Sequence, residues 1–262
     1  MRGRTQACGV AFFGFLFPFV SSAVIGLVTL RKGFVEGSLV TLWSLLPVLL
    51  SYFFSQSNPF LAVVTGTLVL TSLVVAEVLR KTANWDHTLV SGVVVSAGLS
   101  LLAGVLFPIH LGAFVEWVTE FFKIPASGDV LALLSMGVTV NAVCGLLIAR
   151  WWQSLLFNPN GFQKEFHSTR LDPKIGAGCF MMALLGSFGD HSYLVWFQLA
   201  SLPLLFCGVG FVHYAVKKLS LGKVWLGLMY ISIFLGPMTV VLVGLGMVDS
   251  VLDLRTRMAK RS

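Results

Sequence analysis

Charged residues are scarce in this chain of 262 residues, and their scarcity excludes an ordinary water-soluble domain. Only 11% of the residues are charged, 56% are hydrophobic, and the mean hydropathy is +0.89. A soluble domain of this length cannot bury so much apolar surface, whereas a lipid bilayer accepts it. The longest polar stretch, about Asn158 to Lys174, is too short for a separate folded domain. The composition therefore predicts a single transmembrane domain over residues 1–262.

The chain also lacks the motifs of common enzyme and metal sites. It contains no G-x-x-x-x-G-K-[ST] phosphate loop, no H-E-x-x-H pair and no G-x-S-x-G elbow. Its cysteines never form a Cys-x-x-Cys pair and lie within apolar runs, which is typical of small buried side chains: Cys8, Cys144, Cys179 and Cys207. We therefore expect no enzymatic activity, no metal site and no cofactor.

The positive charges that are present alternate along the chain. Seventeen of the eighteen Lys and Arg residues lie at the termini or in alternate segments between apolar runs, and only Lys123 lies elsewhere. Cytoplasmic loops of membrane proteins collect such residues, so the alternation predicts that both termini are cytoplasmic. The net charge of +7 does not indicate nucleic-acid binding, because no basic helix or aromatic-interleaved patch accompanies it. Anionic lipid headgroups are the expected partners of these charges.

Six apolar runs have clear boundaries and predict membrane segments. They are Gly37–Phe54, Phe60–Leu79, Thr88–Phe107, Val130–Trp152, Ile175–Phe188 and Ser192–Val216. The run from Ile175 is short, because a helix needs about 20 residues to cross the bilayer core.

The two terminal runs are each basic at both ends. Ala7 to Leu30 is interrupted near Pro18, and Val224 to Val248 is interrupted at Gly236-Pro237. Since proline breaks or kinks a helix, each run predicts either a hairpin of two short helices or one kinked helix with a translocated basic end. We favour the hairpin for the first run. The predicted fold is an all-α, polytopic membrane bundle of about eight to ten segments, with broken segments at both ends.

Two stretches have the pattern of helices that lie on the membrane surface. In residues 110–123, Phe114, Trp117, Val118 and Phe121 share one helical face. In residues 158–170, Phe162 and Phe166 are one turn apart and follow the tryptophans of the preceding span. We interpret both stretches as membrane anchors.

Polar side chains within the apolar runs are the candidates for binding. Asn141 and Gln198 lie within predicted spans, where hydrogen bonding between helices is their more common use and ligand contact the second. His213, His191 and His110 could relay protons, but none has a partner at a defined spacing, so a satisfied or solvated histidine is favoured. Near helix ends, the spacing predicts local ion pairs of Glu77 with Arg80 and of Asp253 with Arg257, and surface ion pairing explains Asp249 and Arg255.

Several motifs resemble those of a bacterial family, the proteobacterial branch of the YybS-like predicted membrane proteins. The motifs are Ala149-Arg150-Trp151-Trp152-Gln153, Asn158-Pro159-x-Gly161-Phe162-x-x-Glu165-Phe166-x-x-x-Arg170-Leu171, Thr29-Leu30-Arg31-Lys32-Gly33 with Glu36-Gly37, and Asp249-Ser250-x-x-Asp253-Leu254-Arg255. The resemblance covers nearly the whole chain and implies a bacterial inner-membrane protein without implying an activity. A more distant resemblance, to the substrate-binding S components of energy-coupling-factor transporters, implies a similar fold: helix, break, short helix and glycine turn over residues 7–37.

These patterns lead to two functional hypotheses. In the first, the protein binds or moves a small molecule, alone or as the membrane subunit of a larger transporter. Its site is then lined by broken segments near Pro18, Pro203 and Pro237, with Asn141, Gln198 and His213 facing it. In the second, it is an accessory protein that docks a membrane or cytoplasmic protein through its loop and tail. The predicted interface residues are Arg150, Trp151, Trp152, Phe162, Glu165, Phe166, Arg170, Asp249, Asp253 and Arg255.

Overall fold

The computed structural model describes residues 3–14, 17, 19–55, 59–122, 130–159, 161–186, 188, 191–234 and 236–260. Within these residues the regular elements are α-helices and no strand occurs. The helices are α1 (Arg4–Phe13), α2 (Val20–Lys32), α3 (Phe34–Ser55), α4 (Pro59–Thr82), α5 (Trp85–Leu106), α6 (Pro108–Phe122), α7 (Val130–Phe157), α8 (Gly161–Ser168), α9 (Pro173–Gly186), α10 (His191–Lys218), α11 (Val224–Ile233), α12 (Pro237–Leu252) and α13 (Leu254–Lys260). The predicted all-α class is confirmed.

In the described part of the chain, five helices are long and apolar enough to cross a membrane. They are α3, α4, α5, α7 and α10, and each carries at least 18 apolar-rich residues. A bilayer core needs about 20 helical residues, so these helices make the chain a multi-pass membrane protein. The larger predicted number of segments includes the short helices α1, α2, α9, α11 and α12, whose place in the bilayer stays a prediction.

Helix α2 lies at the centre of the N-terminal half of the bundle. Ala23, Val24 and Ile25 have no exposed surface, and α2 packs against α3, α4 and α7. The approach to α7 depends on a small residue, since a Cβ on Gly145 would lie 2.5 Å from the Cβ of Ser22. Such close contact between small residues is the usual means of joining helices in lipid, where no hydrophobic force drives them together.

The N-terminal run is a hairpin of two helices, as predicted. Helix α1 ends at Phe13 and α2 begins at Val20, after Phe19 in the left-handed conformation (φ 66°). Arg4, at the start of α1, forms an ion pair with Glu36, which follows the end of α2. Both basic ends of the run therefore lie on one side of the bundle. Pro18 itself lies outside the described residues.

The C-terminal run is broken at the predicted place. Helices α11 and α12 meet at an angle of 113°, with Gly236 (φ +85°) in a conformation that favours glycine. The residues that flank the run both contact the α8 region, because Lys217 Nζ bonds Gln163 Oε1 at 3.1 Å and Arg255 bonds the carbonyl oxygen of His167. Both flanks lie on the same side, which agrees with a returning chain and not with one straight crossing.

Pro203 does not break its helix, and in this respect the sequence-based prediction was wrong. Helix α10 continues through Pro203 from His191 to Lys218. Proline removes one backbone hydrogen bond, and a membrane helix tolerates that loss where neighbouring helices pack around it. Here α9 and α12 lie against α10, and Pro203 is buried.

Helices α6 and α8 cover the two stretches that the sequence predicts to lie on the membrane surface, and that placement stays a prediction. On α6 the rings of Phe114, Trp117 and Phe121 form a row, and Phe114 meets Phe60 of α4 at a centroid distance of 5.0 Å. The side chains of Val118 and Lys123 lie outside the description. Helix α8 also forms hydrogen bonds with α5, α7, α10 and α13, through its side chains and a carbonyl group, as described below.

Candidate functional site

A chain of polar side chains links three helices inside the N-terminal half. Asn141 of α7 accepts a hydrogen bond from Ser22 of α2 (Oγ to Oδ1, 2.6 Å), and the Ser22 oxygen lies 3.0 Å from Ser72 Oγ of α4. A second link joins Thr139 of α7 to Ser96 of α5 at 2.6 Å. The expectation that Asn141 bonds helix to helix is confirmed.

A cavity of about 350 Å³ adjoins this chain at the break between α1 and α2. It is lined by Gly14, Phe17, Phe19, Ser21, Ser22, Ser44, Thr65, Leu68, Val69 and Asn141. We name it the hairpin cavity. Its polar lining consists of hydroxyl groups and the Asn141 amide, and no ionisable residue lines it in the described part of the chain. Among the described residues, the amide nitrogen of Asn141 has no hydrogen-bond partner.

The hairpin cavity lies about halfway along the long helices. Asn141 follows the first residue of α7 by eleven positions, and Ser44 follows the first residue of α3 by ten. At about 1.5 Å per residue both lie about 15 Å from an end of their helix. Since a bilayer core is about 30 Å thick, this depth corresponds to the middle of a membrane.

Glu165 of α8 is the centre of a polar cluster on the side of the bundle where the basic segments lie. Arg150 of α7 forms an ion pair with it and also bonds Gln153 at 2.6 Å (Nη1 to Oε1). The indole Nε1 of Trp85 donates to Glu165 Oε1 at 2.8 Å. The carboxylate therefore joins α5, α7 and α8. Of the neighbouring tryptophans, Trp151 is 49% exposed.

Arg255 is the centre of a second polar cluster, which is buried. Its Nε bonds Asp249 Oδ2 at 2.9 Å, and the exposed fractions are 7% for Arg255 and 0% for Asp249. Its other nitrogens bond the carbonyl groups of His167 and Cys207, the latter at 3.2 Å. The cluster joins α8, α10, α12 and α13.

This geometry corrects the sequence-based interpretation of the acidic residues at the end of α12. The expected surface pairing of Asp249 and Arg255 is in fact a buried ion pair, and Asp253 is bound by Arg170 at 3.0 Å and by Thr256, not by Arg257. The reason is that Asp253, with a φ of 48°, ends α12, so the i,i+4 spacing of one continuous helix does not extend to Arg257. By contrast, the predicted pair of Glu77 and Arg80 is confirmed at 3.3 Å.

His213 lies in an aromatic group between α8, α10 and α11. Its Nε2 lies 2.8 Å from the hydroxyl of Tyr230, and its ring meets Phe166 at a centroid distance of 5.4 Å. The satisfied histidine favoured by the sequence is confirmed here. Nearby, burial together with the charge of Lys217 lowers the pKa of His167 to about 4, so His167 is neutral at pH 7.

Gln198 does not join helices in the described residues. Its side chain is exposed at a cavity of about 400 Å³ with a largely apolar lining, shared with Ser201 and Thr239. The expected helix-to-helix hydrogen bond of Gln198 is absent from the described residues, because its side chain faces a cavity bordered by α7, α9 and α12. The side chains of Pro237 and His191 lie outside the description, and His110 is exposed on α6.

The structure does not bring the predicted small-molecule site together in one place. Asn141, Gln198 and His213 line or adjoin three separate places, so they do not form one pocket. Residues of the hairpin cavity that the sequence did not single out are Ser21, Ser22, Ser44 and Thr65. Isolated Ser and Thr residues are common in membrane helices, so only the position of Ser21-Ser22 directly after the proline break carried a signal.

Comparison with known proteins finds no similar family model, curated protein or solved structure. The likeness to the YybS-like family and to energy-coupling-factor S components therefore stays a prediction from the motifs. Several of those motif residues, among them Arg150, Glu165 and Arg255, lie in the two polar clusters on the basic side.

Proposed function

We propose that this protein binds a small polar molecule in the hairpin cavity and moves it, alone or as the membrane subunit of a larger transporter. The observation that supports the proposal is that the break between α1 and α2 borders the hairpin cavity, at a depth that corresponds to the middle of a membrane. Broken helices expose backbone groups that protein, water or ligand must satisfy, and transporters commonly bind their substrates at such breaks. The volume of about 350 Å³ falls in the range of small-molecule sites.

The lining favours an uncharged polar ligand. Hydroxyl groups and an amide supply donors and acceptors, while Phe17 and Phe19 supply apolar and aromatic surface. A charged ligand at this depth requires an opposite charge or a metal ion to offset its desolvation, and the described lining offers neither. A neutral molecule with several hydrogen-bonding groups fits this surface best.

The setting of the site is also part of the proposal. We place the protein in the bacterial inner membrane, in the YybS-like family, with the basic side and both termini in the cytoplasm. The alternation of Lys and Arg supports this orientation. The Arg4–Glu36 ion pair and the contacts of Lys217 and Arg255 with the α8 region agree with it, because they gather basic segments on one side.

A cavity-filling substitution tests the proposal. Thr65→Leu places a larger apolar side chain in the hairpin cavity and removes only a local bond to the Leu61 carbonyl (3.0 Å). Thr82→Leu is the control, because Thr82 lies on the same helix, makes the same kind of bond to the Val78 carbonyl (2.8 Å) and is exposed away from the cavity. Thr82 also accepts a hydrogen bond from the backbone nitrogen of Asn84 (3.2 Å), so its loss removes at least as many bonds as the loss of Thr65. We would purify the full chain in mild detergent and identify co-purified small molecules by mass spectrometry of the extract.

We expect a small polar molecule to co-purify with the original chain. The amount that co-purifies with Thr65→Leu should be at least about tenfold lower, and the amount with Thr82→Leu should be unchanged. A tenfold loss corresponds to about 1.4 kcal/mol of binding free energy, which one misplaced side chain readily costs. If both variants retained equal amounts of the molecule, the hairpin cavity would not be its binding site.

The second functional hypothesis, an accessory protein that docks a partner on the basic side, has weaker support. Its predicted charged contacts are largely used within the chain, since Arg150 pairs with Glu165, Arg170 with Asp253 and Arg255 with Asp249. A stoichiometric protein partner that co-purifies in the absence of any small molecule would favour it over the binding of a small polar molecule.

A further inference from the structure

A second cavity, on the basic side, has a different chemistry from the hairpin cavity. It measures about 470 Å³ between α8 and the end of α10, and its lining is Lys164, His167, Ser168, Tyr214, Lys217 and Lys218. In the described part of the chain this lining contains three lysines and no carboxylate. We name it the lysine cavity.

We infer that the lysine cavity binds the phosphate headgroup of an anionic phospholipid. Basic pockets beside the ends of membrane helices are a recognised way of holding such headgroups. The lysine ammonium groups would neutralise the phosphate, and the Ser168 and Tyr214 hydroxyls supply additional polar groups within the same cavity.

The charge balance favours an anion in spite of the helix ends nearby. Both α8 and α10 end at this cavity, and each carboxyl end carries about half a negative charge. Two such ends give about one negative charge, which is less than the positive charge of Lys164 and Lys217 alone. Glu165 follows Lys164 in the sequence, but its carboxylate is bound by Arg150 of α7 and Trp85 of α5.

Side chains on the α8 wall of the lysine cavity have fixed positions. Lys217 Nζ donates to Gln163 Oε1 at 3.1 Å, which holds its ammonium group beside α8. His167, on the same wall, has its pKa lowered to about 4 by burial and by nearby cationic groups, so it adds no charge at pH 7 but can donate a hydrogen bond.

The surroundings identify a lipid, and not a soluble anion, as the occupant. Lys217 and Lys218 are the last residues of a membrane-length helix, which places them at the level of the headgroups. The segment that follows exposes apolar side chains suited to acyl chains, with Leu219 57%, Val224 73% and Trp225 58% exposed. Tryptophan at such a position is typical of the membrane interface.

The test measures lipid binding to the full chain by native mass spectrometry in detergent. The probes are phosphatidylglycerol and phosphatidylcholine with identical acyl chains, and separately inorganic phosphate. The variant replaces Lys164, Lys217 and Lys218 by glutamine. The control replaces Lys32, Lys174 and Lys260, which are exposed elsewhere, and so removes the same charge. Thermal unfolding without added lipid checks that both variants fold.

We expect the original chain to prefer phosphatidylglycerol over phosphatidylcholine, and the cavity variant to lose affinity about fivefold per lysine removed. The control should retain most of the preference. Equal losses in the two variants would overturn the site in favour of general attraction by a basic surface. If inorganic phosphate occupied the cavity as fully as the lipids did, and neither lipid were preferred, the occupant would be a soluble phosphate and not a lipid.

Discussion

Arg255 makes contacts that an arginine on a membrane surface would not make. Its guanidinium group bonds a carboxylate and two carbonyl oxygens and lies 5.9 Å from the centroid of the Phe211 ring. The partner Asp249 is fully buried, and its second oxygen, Oδ1, has no hydrogen-bond partner in the described residues. A buried carboxylate with one unsatisfied oxygen depends strongly on the one cation beside it.

Removal of that cation should destabilise the protein severely. We expect Arg255→Met to cost about 3–5 kcal/mol of the free energy of unfolding, because it leaves Asp249 buried without a counter-charge. Arg257→Met is the matched control, since Arg257 is exposed two residues further along α13. Unfolding of the purified protein in detergent measures both. A double variant with Asp249→Leu should recover much of the loss, and no recovery would argue against the ion pair as the cause.

His167 should make stability dependent on pH. Its pKa is about 4 in the folded protein, through burial first and nearby Lys217 second, against about 6.5 when unfolded. Between these values the unfolded chain binds more protons, so stability falls as pH is lowered from about 6.5 to about 4 and is unaffected above that window.

The measurement is the unfolding temperature across this pH range. His167→Gln should flatten part of the decline, whereas His110→Gln, at an exposed position of α6, should leave the decline unchanged. An unaltered slope in His167→Gln would show that other groups govern the acid sensitivity.

At the scale of the element, the contact between α2 and α7 depends on the absence of a side chain at Gly145. A Cβ at this position would meet Ser22 Cβ at 2.5 Å and the backbone nitrogen of Ala23 at 3.1 Å. Because α2 is the inner half of the hairpin that borders the cavity, any displacement of α2 changes both packing and site.

We expect Gly145→Ala to destabilise the protein by about 1–3 kcal/mol, as overpacked core positions do. Gly137→Ala on the same helix is the control: a Cβ there meets nothing within 4 Å, and alanine favours a helix by about 1 kcal/mol. Opposite shifts in the unfolding temperature of the two variants are the expected outcome. Destabilisation by both would point to a general intolerance of α7.

Elements with strong local signals were the predictable ones. Length and hydropathy fixed the five long helices, the proline and glycine breaks indicated both interrupted runs, and aromatic spacing indicated α6 and α8. Contacts between distant elements were not predictable, because the bonds of Glu165 with Trp85 and of Arg255 with the His167 and Cys207 carbonyls depend on packing across 48 to 88 residues of sequence. For the same reason Pro203 was misjudged, since its effect depends on the helices packed around it.

At the scale of the whole molecule, the charge distribution predicts which side faces the cytoplasm. On a cysteine-free background, His110→Cys should react with a membrane-impermeant thiol reagent in intact cells, and Lys164→Cys should react only after permeabilisation. Both positions are exposed, so accessibility alone does not separate them. The reverse pattern would invert the orientation and place the lysine cavity on the outer side.

The buried contacts of Arg255 also determine when the protein can finish folding. A ribosome makes the chain from its amino end, and the His167 carbonyl that Arg255 binds is synthesised 88 residues earlier. Until Arg255 emerges, that carbonyl and the Asp249 carboxylate lack their cation, although the five long helices have already been made. Arg255 can therefore close the join between α8, α10 and α12 only after the five long helices have been synthesised.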